Sequence, residues 1–146
     1  MAASSPEERI ELVRRGIQAY NAADFGAMLV LVDPDVVIES SVELMNAGTF
    51  RGHDWLARWI GAWNDAWEEF QNSPEEIVPV GESHVVARII GSGRGRGSGV
   101  EVSREVGYAY DVSDGRCVYM TIRPTFEEAL AVAREREGLT EREGAA

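Results

Sequence analysis

The sequence predicts a single α+β domain, with helices packed on one face of a mostly antiparallel sheet. Three observations predict it: apolar residues recur at helical spacing near the N-terminus, strand-like runs dominate the second half, and 146 residues is a usual length for one domain. We assign the domain to residues 1–136 and expect residues 137–146, which are small and charged, to form a disordered tail.

The chain is predicted to begin with a long helix and a short one. Ser5 and Glu8 can form a capping box around the start of the long helix. Its apolar stripe comprises Ile10, Val13, Ile17 and Tyr20. Asp24 can cap the short helix, which runs to about Val32 and ends at Asp33-Pro34, because proline disfavours helical geometry in the residue before it.

One further long helix and a set of strands are predicted next. A strand over residues 36–42 precedes a helix over residues 54–71, on which all four tryptophans lie. Later strands are expected at 76–80, 84–90, 100–112 and 116–123, with a glycine-rich turn at 91–99 that could act as a flap. Thr125 can cap a last helix that ends near Arg136.

Composition limits the partners and cofactors. A formal net charge of −11 disfavours nucleic acid and anionic membrane surfaces, which both attract basic proteins. One cysteine and two histidines form no zinc pattern, and the glycine-rich turn lacks the spacing of a phosphate loop, so no metal or cofactor is expected. A lone cysteine and an N-terminus without the pattern of a signal peptide favour the cytoplasm.

Several short motifs follow one another in an order typical of a known family. They are Tyr20-Asn21-Ala22-Ala23-Asp24, Asp33-Pro34-Asp35, Phe50-Arg51-Gly52-His53-Asp54, Gly97-Ser98-Gly99-Val100 and Asp114-Gly115-Arg116. Across residues 8–135 the sequence therefore resembles the SnoaL-like branch of the nuclear transport factor 2 (NTF2-like) superfamily. The resemblance implies a cystatin-like cone, in which a curved sheet and three helices enclose a cavity, and a homodimer formed through the outer face of the sheet.

The resemblance implies fold more firmly than activity. The family includes polyketide cyclases, and its relatives include ketosteroid isomerases and limonene-epoxide hydrolases. The catalytic positions of the isomerases would fall near Gly16, Ser40 and Val106. Arg88 would match the arginine of the epoxide hydrolases, but isoleucines stand near both aspartate positions, and the last strand has no aspartate like that of the cyclases. No known set of acid–base residues is intact.

The predicted strand faces and the resemblance together select the candidate pocket residues. A period of two places Tyr108 and Tyr110 on one face, and Arg88, in an otherwise apolar strand, would need a carboxylate or an anionic or carbonyl ligand. The full set is Tyr20, Ser40, Trp55, Trp59, Trp63, Arg88, Tyr108, Tyr110 and Met120. Packing of the tryptophans and tyrosines in the core, and an outward Arg88, are the structural alternatives.

Two functional hypotheses are open. One is an isomerase, cyclase or hydrolase with a non-standard catalytic set; the other is a non-catalytic module that binds a small apolar or aromatic molecule, or a protein. A carboxylate or histidine beside Arg88 or a tyrosine would favour catalysis, whereas a lining of apolar groups and hydroxyls would favour binding. The opposite strand face carries Glu39, Glu43, Glu105 and Arg123. With the strand faces reversed, Glu39, Glu105 and Arg123 would form a different site, able to do acid–base chemistry.

Overall fold

The computed structural model describes residues 5–41 and 48–139. The elements in these two ranges are α1 (Pro6–Asn21), α2 (Phe25–Val30), β1 (Val32–Ser40), β2 (Gly48–Arg51), α3 (His53–Ala66), β3 (Trp67–Val80), β4 (His84–Gly95), β5 (Glu101–Ser113), β6 (Arg116–Arg123) and α4 (Phe126–Arg136). The strands form one mixed sheet in the order β2-β1-β6-β5-β4-β3, in which only the β1–β6 pair is parallel among the described strands. The predicted α+β class is confirmed.

The N-terminal helices follow their predicted caps. The Ser5 hydroxyl accepts the Glu8 N–H, and the Glu8 carboxylate accepts the Ser5 N–H, each at 3.1 Å. Asp24 caps α2 through the Ala27 N–H. The chain leaves α2 sooner than predicted and enters β1 at Val32, with the β1–β6 pairing interrupted between Val32 and Val37, where a proline is tolerated.

The predicted end of the long helix is wrong. α3 stops at Ala66, and Trp67 already has the extended backbone of β3. Arg96, on the β4–β5 turn, holds this end: its N–H donates to the Ala66 carbonyl at 2.9 Å, and its guanidinium donates to the carbonyls of Asn64, Asp65 and Trp67. A cation on the last carbonyls of a helix is favourable, so a contact distant in sequence sets this boundary.

The glycine-rich segment is mostly strand rather than turn. β4 continues to Gly95, and Phe70 of β3 lies over Gly91 and Gly93. A Cβ at Gly93 would come within 2.7 Å of the Phe70 ring, and one at Gly91 within 3.0 Å. These glycines therefore leave the space that the aromatic ring occupies.

The sheet is covered on both faces, contrary to the prediction that all helices share one face. The first core lies between α1, α2, α3 and the inner face, and includes Val85 and Ala87. The second lies between α4 and the outer face, where Ala129 packs against Val86 and Ala109. Consecutive apolar residues in β4 accord with a strand that is buried on both sides.

The start of α4 crosses β5 at Gly107. A Cβ at this position would overlap the backbone carbonyl of Thr125. The first turn is also held by Glu105, whose carboxylate accepts the Phe126 N–H at 2.9 Å. This hydrogen bond, together with Arg88, keeps the pKa of Glu105 below its usual value although partial burial opposes it.

Residue 137, which we placed in the tail, is anchored to the domain. The Glu137 carboxylate accepts N–H groups of Glu82, Ser83 and His84 and pairs with the ring of buried His84. Glu43 and the last residue of the strand predicted at 36–42 lie outside the described residues. Among the described helices, none is both long and apolar enough to cross a bilayer.

Candidate functional site

A largely apolar cavity of about 120 Å³ lies between α1, α2, α3 and the inner face of the sheet. Aliphatic side chains from every wall form most of its surface, including Val13, Met28, Ile38, Leu56 and Ile89. The lining also includes six aromatic residues: Tyr20, Trp59, Trp63, Phe70, Tyr108 and Tyr110. Tyr108 and Tyr110 both point into the cavity because residues two apart in a strand lie on the same face of the sheet.

Six of the nine predicted pocket residues line this cavity. They are Tyr20, Trp59, Trp63, Tyr108, Tyr110 and Met120. α1 carries Tyr20, α3 carries the two tryptophans one turn apart, and the two paired strands β5 and β6 carry the others. Met120 pairs directly with Tyr110, so their side chains lie next to each other on the inner face.

Trp55 and Ser40 lie beside the cavity rather than in its lining. Trp55 stacks on Phe50, with ring centroids 3.7 Å apart, and its other neighbour is Trp59 at 6.0 Å. It therefore supports the wall that Trp59 forms. Ser40 is buried at the end of β1 and is not among the lining residues. His53 likewise stays outside the lining, with its Nε2 at 2.7 Å from the Val32 carbonyl.

The expectation that Arg88 points into the cavity is wrong. In the β4–β5 pairing, Ala87 stands opposite Tyr108 and Arg88 stands opposite Gly107. Directly opposed residues share a face, so an inward Tyr108 requires an outward Arg88. On the outer face its guanidinium lies 2.7 Å from the Glu105 carboxylate and 4.7 Å from the centre of the Phe126 ring. Arg88 thus fastens α4 to the sheet.

Burial keeps the tyrosine hydroxyls of the cavity protonated. It raises the pKa of Tyr20 to about 12 and that of Tyr108 further above its usual value, with a smaller contribution from Tyr20. The pKa of Tyr110 is also raised, by burial first and then by Tyr108 and Cys117. At neutral pH all three hydroxyls are donors as well as acceptors.

Hydrogen bonds with two asparagines hold Tyr20 and Asn72 in place in the cavity wall. The Tyr20 hydroxyl donates to the Asn64 side-chain oxygen at 3.1 Å, which fixes the ring against α3. The Asn21 side chain bonds both backbone groups of Asn72, at 2.7 and 2.9 Å, and so joins the end of α1 to β3. Asn72 itself lines the cavity.

Sequence reasoning missed Phe70, Asn72 and Cys117 as lining residues. Phe70 was assigned to the long helix and Asn72 to the segment that ends it, whereas both lie in β3, so the strand face of each residue could not be predicted. Cys117 and Met120 are three residues apart in β6, so simple alternation would place them on opposite faces. The pairing of β5 with β6 shifts register between Asp111 and Val112, and this irregularity lets both side chains reach the cavity. Burial raises the pKa of the Cys117 thiol to about 12, which makes it a poor nucleophile at neutral pH.

The charged residues predicted as site candidates lie on the outer face of the sheet or at its edge. Arg123 pairs with Glu39 next to buried Thr121, and the Arg88 cluster lies near the start of α4. The reversed-face site proposed from Glu39, Glu105 and Arg123 is therefore divided between two outer clusters. Of the residues that line the cavity in the described ranges, none is a carboxylate, a histidine, a lysine or an arginine. No group of three or more potential metal ligands occurs in the same ranges.

Comparisons with known proteins agree with this architecture. A family model described as a SnoaL-like domain matches residues 13–120. A search of curated proteins gave no match.

Three similar solved structures illustrate how far the likeness extends. The protein Bal32a, from a soil-derived mobile gene cassette, has a TM-score of 0.74 at 17% identity, with 81% of this chain and 89% of that chain covered. An NTF2-like protein from Burkholderia pseudomallei has a TM-score of 0.72 at 19% identity, with 86% and 97% covered. A Catenulispora acidiphila protein with a ketosteroid isomerase-like fold, solved in complex with trimethylamine, has a TM-score of 0.69 at 14% identity, with 88% and 93% covered.

At these identities the structural likeness shows the fold alone. The family match covers most of the chain and includes α2, α3 and five complete strands, together with most of α1 and β6. It therefore contains every residue that lines the cavity except Leu12. The chain belongs to the SnoaL-like domain family and has its NTF2-like fold.

Proposed function

We propose that this protein binds a small, largely apolar molecule in the cavity between α1, α2, α3 and the sheet, without catalysing its conversion. The supporting observation is the lining, which combines aliphatic and aromatic side chains with hydroxyls and one amide. Isomerases and hydrolases of general acid–base type need a group whose pKa lies near the working pH. The lining tyrosines and Cys117 have raised pKa values, so they are poor acids and bases at neutral pH.

The volume of the cavity favours a ligand with about one ring. An apolar cavity of roughly 150 Å³ in another protein holds a benzene molecule. The cavity here, at about 120 Å³, has a similar capacity. Flat aromatic walls from Trp59 and Trp63 suit a flat apolar ligand. The free thiol of Cys117 supports action in the reducing cytoplasm.

A small alkylammonium ion is the second candidate. Aromatic faces attract such cations, especially away from water, and six aromatic residues line this cavity in a protein of net charge −11. The Catenulispora protein was solved with trimethylamine, although at 14% identity this likeness concerns the fold. Competition between benzene and tetramethylammonium chloride distinguishes the two candidates, because only the favoured class displaces the other at comparable concentration.

Gly16 offers a way to block the cavity without weakening the helix. It lines the cavity from α1, and a Cβ there would have its nearest contact at 3.9 Å from Leu31. Gly16→Leu should therefore place its side chain in the cavity, and its better helix propensity should stabilise α1 by up to about 1 kcal/mol. We expect benzene to perturb the amide NMR signals of Tyr108 and Met120 in the wild type, and the affinity to fall at least about tenfold in Gly16→Leu.

Gly61→Leu is the matched control. Gly61 lies on α3 with open space around its Cβ position, so the same substitution raises helix propensity without filling the cavity. Its benzene affinity should equal that of the wild type. Equal affinity in Gly16→Leu, or signals that move only at surface sites, would contradict the proposal.

A further inference from the structure

The polar part of the cavity wall consists chiefly of two tyrosines on β5. Tyr108 and Tyr110 rise from the same face of the strand, and their rings are nearly parallel, with an interplanar angle of 9° and centroids 5.9 Å apart. Two hydroxyls are therefore presented side by side within one wall. Both residues line the cavity, whereas the fourth tyrosine of the chain, Tyr119, lies on the outer face and bonds Glu39.

These two hydroxyls have no protein partner within the described ranges. Neither forms a hydrogen bond with any group in residues 5–41 or 48–139, in contrast to Tyr20, whose hydroxyl donates to Asn64. Buried tyrosine hydroxyls usually find a partner, because an unpaired polar group in an apolar site costs free energy. The cavity thus contains two donors that a guest molecule can satisfy.

The charge of the wall selects the kind of guest. No lysine, arginine, histidine, aspartate or glutamate is among the described lining residues, so an ionic ligand of either sign would lose its hydration without a counter-charge. A neutral oxygen accepts from a tyrosine hydroxyl at no such cost. Aliphatic groups of Met28, Ile38 and Met120 surround the rest of the guest.

We propose that the ligand is an uncharged single-ring compound with an oxygen acceptor, such as a carbonyl or ether, which receives hydrogen bonds from Tyr108 and Tyr110. This inference rests on the proposed binding function and specifies the class of molecule bound. In this role Tyr108 and Tyr110 distinguish ligands that have the same shape but differ in having an acceptor oxygen, and they also contribute to packing.

The test compares two probes of nearly equal shape, cyclohexanone and methylenecyclohexane, of which only the ketone carries an acceptor. Their dissociation constants are measured by NMR titration with the wild type, Tyr108→Phe and Tyr110→Phe. Each lost hydrogen bond should lower the preference for the ketone by about two- to tenfold. The infrared carbonyl band of bound cyclohexanone should lie at a lower wavenumber in the wild type and move back towards its value in alkane solvent in the double variant.

Tyr119→Phe is the control, since it makes the same chemical change outside the cavity and should leave both constants unchanged. A ketone preference and carbonyl band that are the same in all variants would overturn the inference while leaving apolar binding intact. If neither probe binds the wild type, the proposed function fails and the inference fails with it. If a tyrosine variant is unfolded, as its amide spectrum would show, the infrared band of the wild-type complex decides: an alkane-like band refutes the hydrogen bonds.

Discussion

Glu137 shows how one side chain ties the end of α4 to the turn between β3 and β4. Its carboxylate accepts three successive backbone N–H groups and the hydroxyl of Ser83, and it pairs with His84. Burial alone would raise the pKa of Glu137, but these hydrogen bonds outweigh burial and lower it to about 2 from an ordinary value of 4.5. The folded state therefore favours the ionised carboxylate.

The stability that this ionised group contributes should disappear in acid. Because the folded pKa is depressed, the contribution is complete above about pH 4.5 and is lost as the pH falls towards 2. Glu137→Gln should lower the free energy of unfolding at pH 7 by about 1–3 kcal/mol, and the difference from the wild type should shrink below pH 4. Urea denaturation at several pH values measures both effects.

Glu135→Gln is the control for this prediction, because Glu135 is exposed on the same helical turn. It should change stability by less than about 0.5 kcal/mol at every pH. A Glu137→Gln difference that stays constant from pH 7 to pH 2.5 would show that the effect comes from shape rather than charge.

The facing of single residues was only partly predictable from the sequence. Alternation correctly placed Tyr108 and Tyr110 on the inner face. Arg88 could not be placed in the same way, because its facing depends on the register between β4 and β5, which no pattern within either strand reveals. The family correspondence gave it an inward direction that this register excludes.

Phe70 and the glycines of β4 form a unit at the scale of elements. The ring occupies space over Gly91 and Gly93 that side chains would otherwise fill, and it also lines the cavity. Gly91 and Gly93 therefore belong to a strand covered by an aromatic ring and are not part of a turn. The sequence could not show this, because the aromatic ring belongs to a segment predicted to be helical.

Gly93→Ala should destabilise the protein. The added Cβ would lie 2.7 Å from a ring carbon of Phe70 and 3.3 Å from its Cα, so both the ring and the β3 backbone must move. We expect a loss of about 1–3 kcal/mol in the free energy of unfolding, as for other overpacked sites. Ser92→Ala, one residue earlier on the opposite face of β4, should stay within about 0.5 kcal/mol of the wild type.

A double-mutant cycle tests the stated cause. Phe70→Leu removes the ring that Gly93→Ala meets, so the two substitutions should be non-additive, and the double variant should be more stable than the sum of the single effects predicts. Strict additivity would mean that Gly93 is needed for its backbone conformation and not for the space that the Phe70 ring occupies.

The ends of the elements divide into those set locally and those set by distant contacts. Capping residues adjacent in sequence placed the starts of α1, α2 and α4 correctly. The end of α3 depends on Arg96, which lies thirty residues beyond Ala66 in sequence and reaches it only because β3 and β4 pair. A boundary that depends on a contact distant in sequence cannot be predicted from the local sequence, because the contact exists only in the folded protein.

At the scale of the whole molecule, α4 divides the outer face of the sheet. It packs chiefly on β4 and β5 and reaches β6 through Arg136, which lies over the Tyr119 ring. In the described part of the chain, the outer face of β1 carries half-buried Val37 and Glu39 without a covering helix. The family resemblance implies a dimer through the outer face. We therefore expect a homodimer that uses the β1–β6 side of this face.

Light scattering after size-exclusion chromatography measures the expected dimer. The wild type at micromolar concentration should have twice the mass of the 16.0 kDa chain. Val37→Glu should shift it towards the monomer, because it places a carboxylate in the interface, whereas Val30→Glu, at a valine that is 71% exposed on α2, should not. A monomeric wild type would contradict the expectation.

The proposed function requires above all that the cavity accept an apolar ligand, and a crystal soaked with bromobenzene tests this directly. The bromine should produce an anomalous difference peak inside the cavity, enclosed by Trp59, Tyr108 and Met120, and the peak should be absent from Gly16→Leu crystals. If bromine peaks occur only at surface sites of the wild type and none lies in the cavity, the proposed binding function is contradicted.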